Sequence, residues 1–239
     1  MIRNYIIFAF RNLIRQKIFS IISISGLSIG IACFLIITLY FQFQHSYDQF
    51  HSKKDRIYRI NKHLDGGKGK MRVSYTAPFV ADYIRDNIKD VEEVVRFSSL
   101  SLDLHYKDRS FKELFAYACD NHVFNVFDFK LLKGDSKSVL ESPNSILLSE
   151  SITIKYFGDE NPIGKTLTTY NKSGEEISLE VTGILKDTPQ NSHIQFDILV
   201  SMNTVKYFVR ETGMKMIGMV AIPICCYMKI QNPMKYKEV

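Results

Sequence analysis

The residues that most resemble a chemical motif lie between Gly158 and Thr166, where two glycines lead into Gly164-Lys165-Thr166 in the manner of a phosphate-cradling loop. Such a loop needs four residues between its glycines, backbone N–H groups open to phosphate, and a helix N-terminus after the lysine. Here five residues intervene, Asp159 and Glu160 would repel an anion, and Thr166 leads into a strand pattern. Among the six histidines, His45, His51, His63, His105, His122 and His193, the pairs His45/His51 and Cys119/His122 reach zinc-ligand spacing, but they stand roughly 70 residues apart and form no compact four-ligand motif. The Gly-x-Ser-x-Gly pattern of a hydrolase occurs at Gly26-Leu27-Ser28-Ile29-Gly30, but inside a long uncharged apolar run, without the strand-to-helix turn that would expose a nucleophile. Asp48 and His51 could share a helix face, a spacing that serves an ion pair or cap more often than a catalytic dyad. Adjacent Cys225 and Cys226 are too close to bridge each other readily; a non-cytoplasmic compartment would allow a disulfide, and buried free thiols are the default for them and Cys119. No catalytic, cofactor-binding or metal-ligating set emerges. The expected protein is not an enzyme and carries no cofactor.

The elements that would position these residues follow from composition. The chain has 239 residues, 46% hydrophobic and 23% charged, with a net charge of +6. That apolar share can bury a core and excludes global disorder. Of 31 basic residues, four (Arg3, Arg11, Arg15 and Lys17) precede residue 18 with no acid before Asp48. The other 27 face 25 acidic residues, so the positive balance is concentrated at the N-terminus and gives no support for nucleic acid as a partner.

Residues 18–44 carry no charged side chain. As a helix the run 18–43 would extend about 39 Å, beyond the ~30 Å hydrocarbon core, and can span it with some tilt. Its few Ser and Thr can bond back to helical carbonyls. A cleaved signal would have a shorter apolar region, so an uncleaved anchor fits better. The basic residues ahead of it place the N-terminus in the cytoplasm and residues beyond about 45 outside. Tyr5, Ile6, Phe8, Ala9, Leu13 and Ile14 among those basic residues suit a helix lying in the membrane interface. Gly26 and Gly30 form a Gly-x-x-x-Gly spacing that lets a second helix approach closely.

Beyond residue 45, strand and helix signals alternate. Strands are predicted near 56–64, 71–75, 91–98, 102–106, 111–118, 166–170, 177–185, 193–200 and 220–230. A turn is predicted at Asp65-Gly66-Gly67. Pro78 opens a helix to about residue 88, and Ser149 caps a short helix that Gly158 stops. The fold class is α+β: one N-terminal transmembrane helix followed by a mixed, strand-dominated extracytoplasmic domain.

In order along the chain, Arg11-Asn12-Leu13, Lys17, Gly26-Leu27-Ser28-Ile29-Gly30, Ser46-Tyr47-Asp48-Gln49-Phe50-His51 and Arg56-Ile57-Tyr58-Arg59 resemble the start of FtsX-like ABC transporter permeases with a MacB-like periplasmic core domain. Ala77-Pro78, Phe124-Asn125-Val126-Phe127-Asp128-Phe129 and Leu131-Leu132-Lys133-Gly134-Asp135 continue the series. Pro143-Asn144-Ser145, Tyr156-Phe157-Gly158, Asn161-Pro162-Ile163-Gly164-Lys165-Thr166 and Val181-Thr182-Gly183-Ile184-Leu185-Lys186-Asp187 complete it.

The resemblance implies a basic amphipathic helix over 1–17, a transmembrane helix over 18–44 and a periplasmic core domain of two subdomains over 45–239. The C-terminal FtsX-like membrane helices are absent from this sequence, so a truncated or split permease is expected. It further implies a permease-type subunit in the cell inner membrane that couples a cytoplasmic ABC ATPase to extracytoplasmic export or mechanotransmission. Its partners would be that ATPase, a second permease chain as a dimer, membrane lipid, and a periplasmic or outer-membrane protein. Gly26 and Gly30 would pack helices, and Tyr47, Asp48, Phe50, His51, Arg56 and Tyr58 would form a stiff junction between membrane and domain. The alternative is a membrane-anchored extracytoplasmic binding or scaffold protein without transport activity.

Overall fold

The computed structural model describes residues 2–66, 69–171, 173–208 and 224–230. The chain divides into two compact units, at Tyr47 and Asp48.

The first unit holds α1 (Ile2–Arg15) and α2 (Lys17–His45), separated by Gln16. The Ser20 hydroxyl donates to the Leu13 carbonyl at 2.9 Å and fastens the corner. Inside α2, Ser25 donates to the Ile22 carbonyl and Thr38 to that of Phe34, so their hydroxyls are satisfied without water. Its 29 residues contain an 18-residue window of mean hydropathy 2.3. The Ile, Leu and Phe side chains from Ile18 to Phe43 are all exposed. By length and composition this helix can cross a membrane, and apolar surface of this extent calls for an apolar surrounding.

The second unit contains β1 (Ile57–Arg59), β2 (Lys62–Gly66), β3 (Gly69–Val73), α3 (Phe79–Asn87), β4 (Val91–Tyr106), β5 (Arg109–Cys119), α4 (Val123–Val126) and β6 (Leu131–Lys133). It continues with β7 (Ser145–Ser149), α5 (Glu150–Phe157), β8 (Thr166–Tyr170), β9 (Glu176–Leu185), β10 (Ile198–Ser201), α6 (Val205–Phe208) and β11 (Ile224–Ile230). One mixed sheet runs β1-β11-β4-β5-β10-β7-β9-β6, and β8 joins β9 to β4. That link closes a ring of six strands. β10 lies parallel to β5 and β7 parallel to β9, and β2 and β3 form a separate hairpin.

Alternation in β9 and β4 sends Leu179, Val181, Leu102 and Leu104 to one face, where they meet Leu148, Ile198 and the Ile152 and Tyr156 side chains of α5. The opposite face packs Phe97, Leu147, Leu199 and Leu185 against Phe127, Phe129 and Phe196. Each sheet face is therefore covered, which is what allows the five residues of β7 all to be buried.

The mixed α+β fold after one apolar helix is as expected, but several element boundaries differ. Residues 56–64 divide into β1 and β2, which pair with different strands. The two strands anticipated over 91–98 and 102–106 are one, β4, because a bulge between Leu100 and Leu102 bends it without ending it. Residues 193–197 are irregular, and β10 begins only at Ile198. Strands β6 and β7 had no sequence expectation. Ser149 caps α5 through its hydroxyl, which accepts from the Ile152 N–H at 3.3 Å, and Gly158 ends it with a φ of +61°. Asp65 and Gly66 lie within β2; Gly67, and positions 220–223 of the last expected strand, lie outside the described residues.

Candidate functional site

The second unit begins with a segment that its own side chains fasten to two distant loops. Asp48 has φ +55°, a left-handed conformation that Asp tolerates better than most residues. Its N–H donates to the Asn191 carbonyl at 2.9 Å. Its carboxylate accepts from the His193 N–H at 2.9 Å, and the other oxygen lies 2.7 Å from His193 Nδ1. Three residues on, His51 is 4% exposed, and its Nδ1 accepts from the Asp128 N–H at 3.1 Å. The Ser52 hydroxyl donates to Asp128 Oδ2 at 2.8 Å, and Lys53 Nζ donates to the Asn125 carbonyl at 3.0 Å.

Aromatic rings complete the setting of His51: Phe50 at 4.0 Å between centroids and Phe127 and Phe129 each at 5.3 Å. Burial pushes the His51 pKa below its ordinary value, against the opposing pull of the Asp48 and Asp128 charges. The imidazole is therefore held neutral. With Nδ1 accepting, Nε2 carries the proton and is a donor.

Arg56 pairs with Glu92, which also pairs with Lys229, so this triad ties the start of β1 to β4 and β11. The Lys229 bond, then that of Arg56, holds the Glu92 carboxyl below the usual range despite partial burial.

Of the six junction residues named from sequence, Asp48 and His51 line one cavity of about 260 Å³, together with Lys54, Ile57, Arg59, Phe127, His193, Ile194 and Tyr227. Phe50 lies tilted against His51, Arg56 turns to Glu92, and Tyr58 sits in β1 opposite Met228. Tyr47 belongs to the first unit, edge-on to Phe43 at 5.4 Å. Asp48 and His51 share no side-chain hydrogen bond; Asp48 is held by His193, His51 by Asp128, and Arg56 by Glu92. Asp128 lies in the Phe124–Phe129 motif, but nothing in that motif points to His51, and all three partners lie far along the chain, so no local signal could have found the pairings. A side chain added at Gly26 or Gly30 would meet nothing within 4 Å.

The phosphate-loop resemblance dissolves in the fold. Lys165 pairs with Glu160, which Lys107 also contacts at 3.0 Å, and Thr166 opens a strand. The Lys165 bond, then that of Lys107, lowers the Glu160 pKa to about 2, so the lysine ammonium is already neutralised. Cys119 is buried, and burial raises its thiol pKa well above the ordinary value, which makes it inert. The Cys225 and Cys226 side chains lie outside the described residues. Among the described residues no group of three His, Cys, Asp or Glu could hold a metal ion.

Fold and sequence together define a permease-type component: an apolar helix followed by a closed, mixed sheet domain. Residues 20–224 match the MacB-like periplasmic core domain, and the chain belongs to that family. Among solved structures, a domain described as part of a permease protein from Porphyromonas gingivalis is 21% identical, with a TM-score of 0.62 over 77% of this chain and 76% of that one. The periplasmic region of MacB from Actinobacillus actinomycetemcomitans is 18% identical, with a TM-score of 0.50 over 74% of this chain and 75% of that one. Both likenesses are of fold. No curated protein matches the chain.

Proposed function

We propose that this chain couples a cytoplasmic ABC ATPase to export or mechanical work outside the cytoplasm. In this reading α2 spans the cell inner membrane, α1 lies in the cytoplasmic interface, and the second unit is periplasmic. A second permease chain packs on the open faces of Gly26 and Gly30, in contact with membrane lipid, and a periplasmic or outer-membrane protein meets the external domain. The chain's membership of the MacB-like periplasmic core family carries the proposal.

The fastening of Asp48, His51 and Ser52 to loops around Asn191 and Asp128 supports it. Displacement of the backbone at residue 48 would be delivered to β10 through His193 and to β6 through Asp128, without first melting a flexible linker. Tyr47, Phe50, Arg56 and Tyr58 would stiffen the same stretch. Purification of the tagged chain from its native membranes, followed by identification of co-purifying proteins, tests the reading. An ATP-binding subunit is the expected companion; recovery as a lone monomer would favour an anchored scaffold instead.

A further inference from the structure

We propose that the cavity beside His51 is a binding site for a small amphiphilic anion, an oxyanion head on a short aromatic or branched apolar body. The inference is independent of transport coupling.

Three observations carry it. His51 is 4% exposed and lines the cavity, and its one hydrogen bond uses Nδ1 as the acceptor from Asp128. No described residue accepts the proton on Nε2, which is therefore free to be donated to an acceptor that enters the cavity. Second, Arg59 and Lys54 line the same cavity. Lys54 reaches Gln49, a neutral acceptor that leaves its charge uncompensated, and Arg59 has no side-chain partner among the described residues. The one carboxylate at the cavity, Asp48, is already engaged by His193. An entering oxyanion would meet two cations and one imidazole N–H.

Third, the remaining wall is apolar: Ile57, Phe127 and Ile194, with the Tyr227 ring. Phe127 and Tyr227 meet edge-to-face at 5.3 Å, so that wall is stiff. A bare phosphate would leave this surface wet, while a purely apolar guest would leave the imidazole N–H unmet. At about 260 Å³ the volume falls just below the ~300 Å³ at which drug-sized ligands begin to fit, which suits a compact acid of one ring or one branched chain. Arginine can bind a carboxylate with two parallel bonds, and lysine adds a point charge.

The test is titration of phenylacetate into the full chain in nanodiscs of zwitterionic lipid, by calorimetry and by the 15N imidazole signals of the protein. Saturable binding that shifts the His51 Nε2 signal is expected. Arg59→Gln and Lys54→Gln, both at exposed side chains, should each weaken it by about tenfold, the loss of one charge-assisted bond. Phenylacetamide, with the same ring and no charge, should bind at least as much more weakly. Inorganic phosphate should bind more weakly than phenylacetate; equal affinity would overturn the apolar half of the proposal. Absence of saturable phenylacetate binding, or binding that Arg59→Gln leaves unchanged, would overturn the whole.

Discussion

The Asp48 carboxylate holds His193 from 145 residues away, taking the backbone N–H with one oxygen at 2.9 Å and facing the imidazole Nδ1 with the other at 2.7 Å. One acid thereby orders both the start of the external domain and the irregular approach to β10. Asp48 is about a third exposed and His193 mostly exposed, so solvent screens the charge component. Asp48→Ala should lose about 2 kcal/mol, from the lost acceptor and from placing a Cβ without polar compensation at φ +55°. Asp48→Asn keeps an acceptor and tolerates that backbone, and should lose roughly half as much. Thermal unfolding in detergent, followed by the β-sheet circular dichroism band, measures the difference; equal losses would show that the carbonyl-type acceptor and the backbone conformation contribute nothing.

His51 makes the domain sensitive to acid. Its pKa in the folded chain lies below the ordinary value of 6.5, so the unfolded chain takes up the proton first. Stability from the neutral ring is complete above about pH 6.5 and is lost as pH falls from there through the lowered folded value. Protonation also removes the acceptor that Nδ1 offers to the Asp128 N–H. Melting temperature should be flatter with pH above 7 than between 6.5 and 5, and His51→Gln should reduce the slope in the lower interval. An unchanged slope in that variant would assign the acid sensitivity elsewhere.

Two motifs separated by about fifty residues meet at a pair of glycines. A Cβ at Gly183 would stand 2.8 Å from the Lys133 carbonyl oxygen and 2.8 Å from Leu147 Cδ2. One at Gly134 would stand 2.8 Å from the Thr182 carbonyl oxygen, at a φ of +106°. The two carbonyl oxygens are backbone obstacles where β6 meets β9, which a change of side-chain rotamer cannot relieve. Gly183→Ala should therefore cost about 1–3 kcal/mol, and Gly134→Ala more, since it adds left-handed strain. Urea unfolding of each variant checks the order; a Gly183→Ala protein as stable as the parent would mean that β6 can move away freely.

What the sequence revealed follows the range of the interactions involved. Residues 18–44 could be read as a helix because their lack of charge is local, and the Ser149 cap because its partner is three residues away. The Gly183 motif could be seen, although its reason could not, since Lys133 enters only through pairing of β6 with β9. Strand β7 escaped notice because burial on both faces erases the period of two, leaving Ser-Ile-Leu-Leu-Ser with no pattern. Among the residues of the site, Asp48 and His51 stood out by type. Their partners His193 and Asp128 did not, because closure over 145 and 77 residues is decided by the packed sheet.

Membrane orientation supplies the last prediction. Four basic residues and no acid precede the apolar run that starts at Ile18, while the side chains that follow it are mixed in charge, and retention of Arg and Lys in the cytoplasm sets the direction of insertion. In a chain whose native cysteines are replaced by Ala, Asn4→Cys in α1 and Asp103→Cys in β4 each place a thiol at an exposed position. A membrane-impermeant maleimide added to intact spheroplasts should label the Asp103→Cys protein and spare Asn4→Cys until the cells are lysed. Both should label after lysis, which controls for accessibility. The reverse pattern would put the sheet domain in the cytoplasm, and with it would fall the proposal that this domain works outside the membrane.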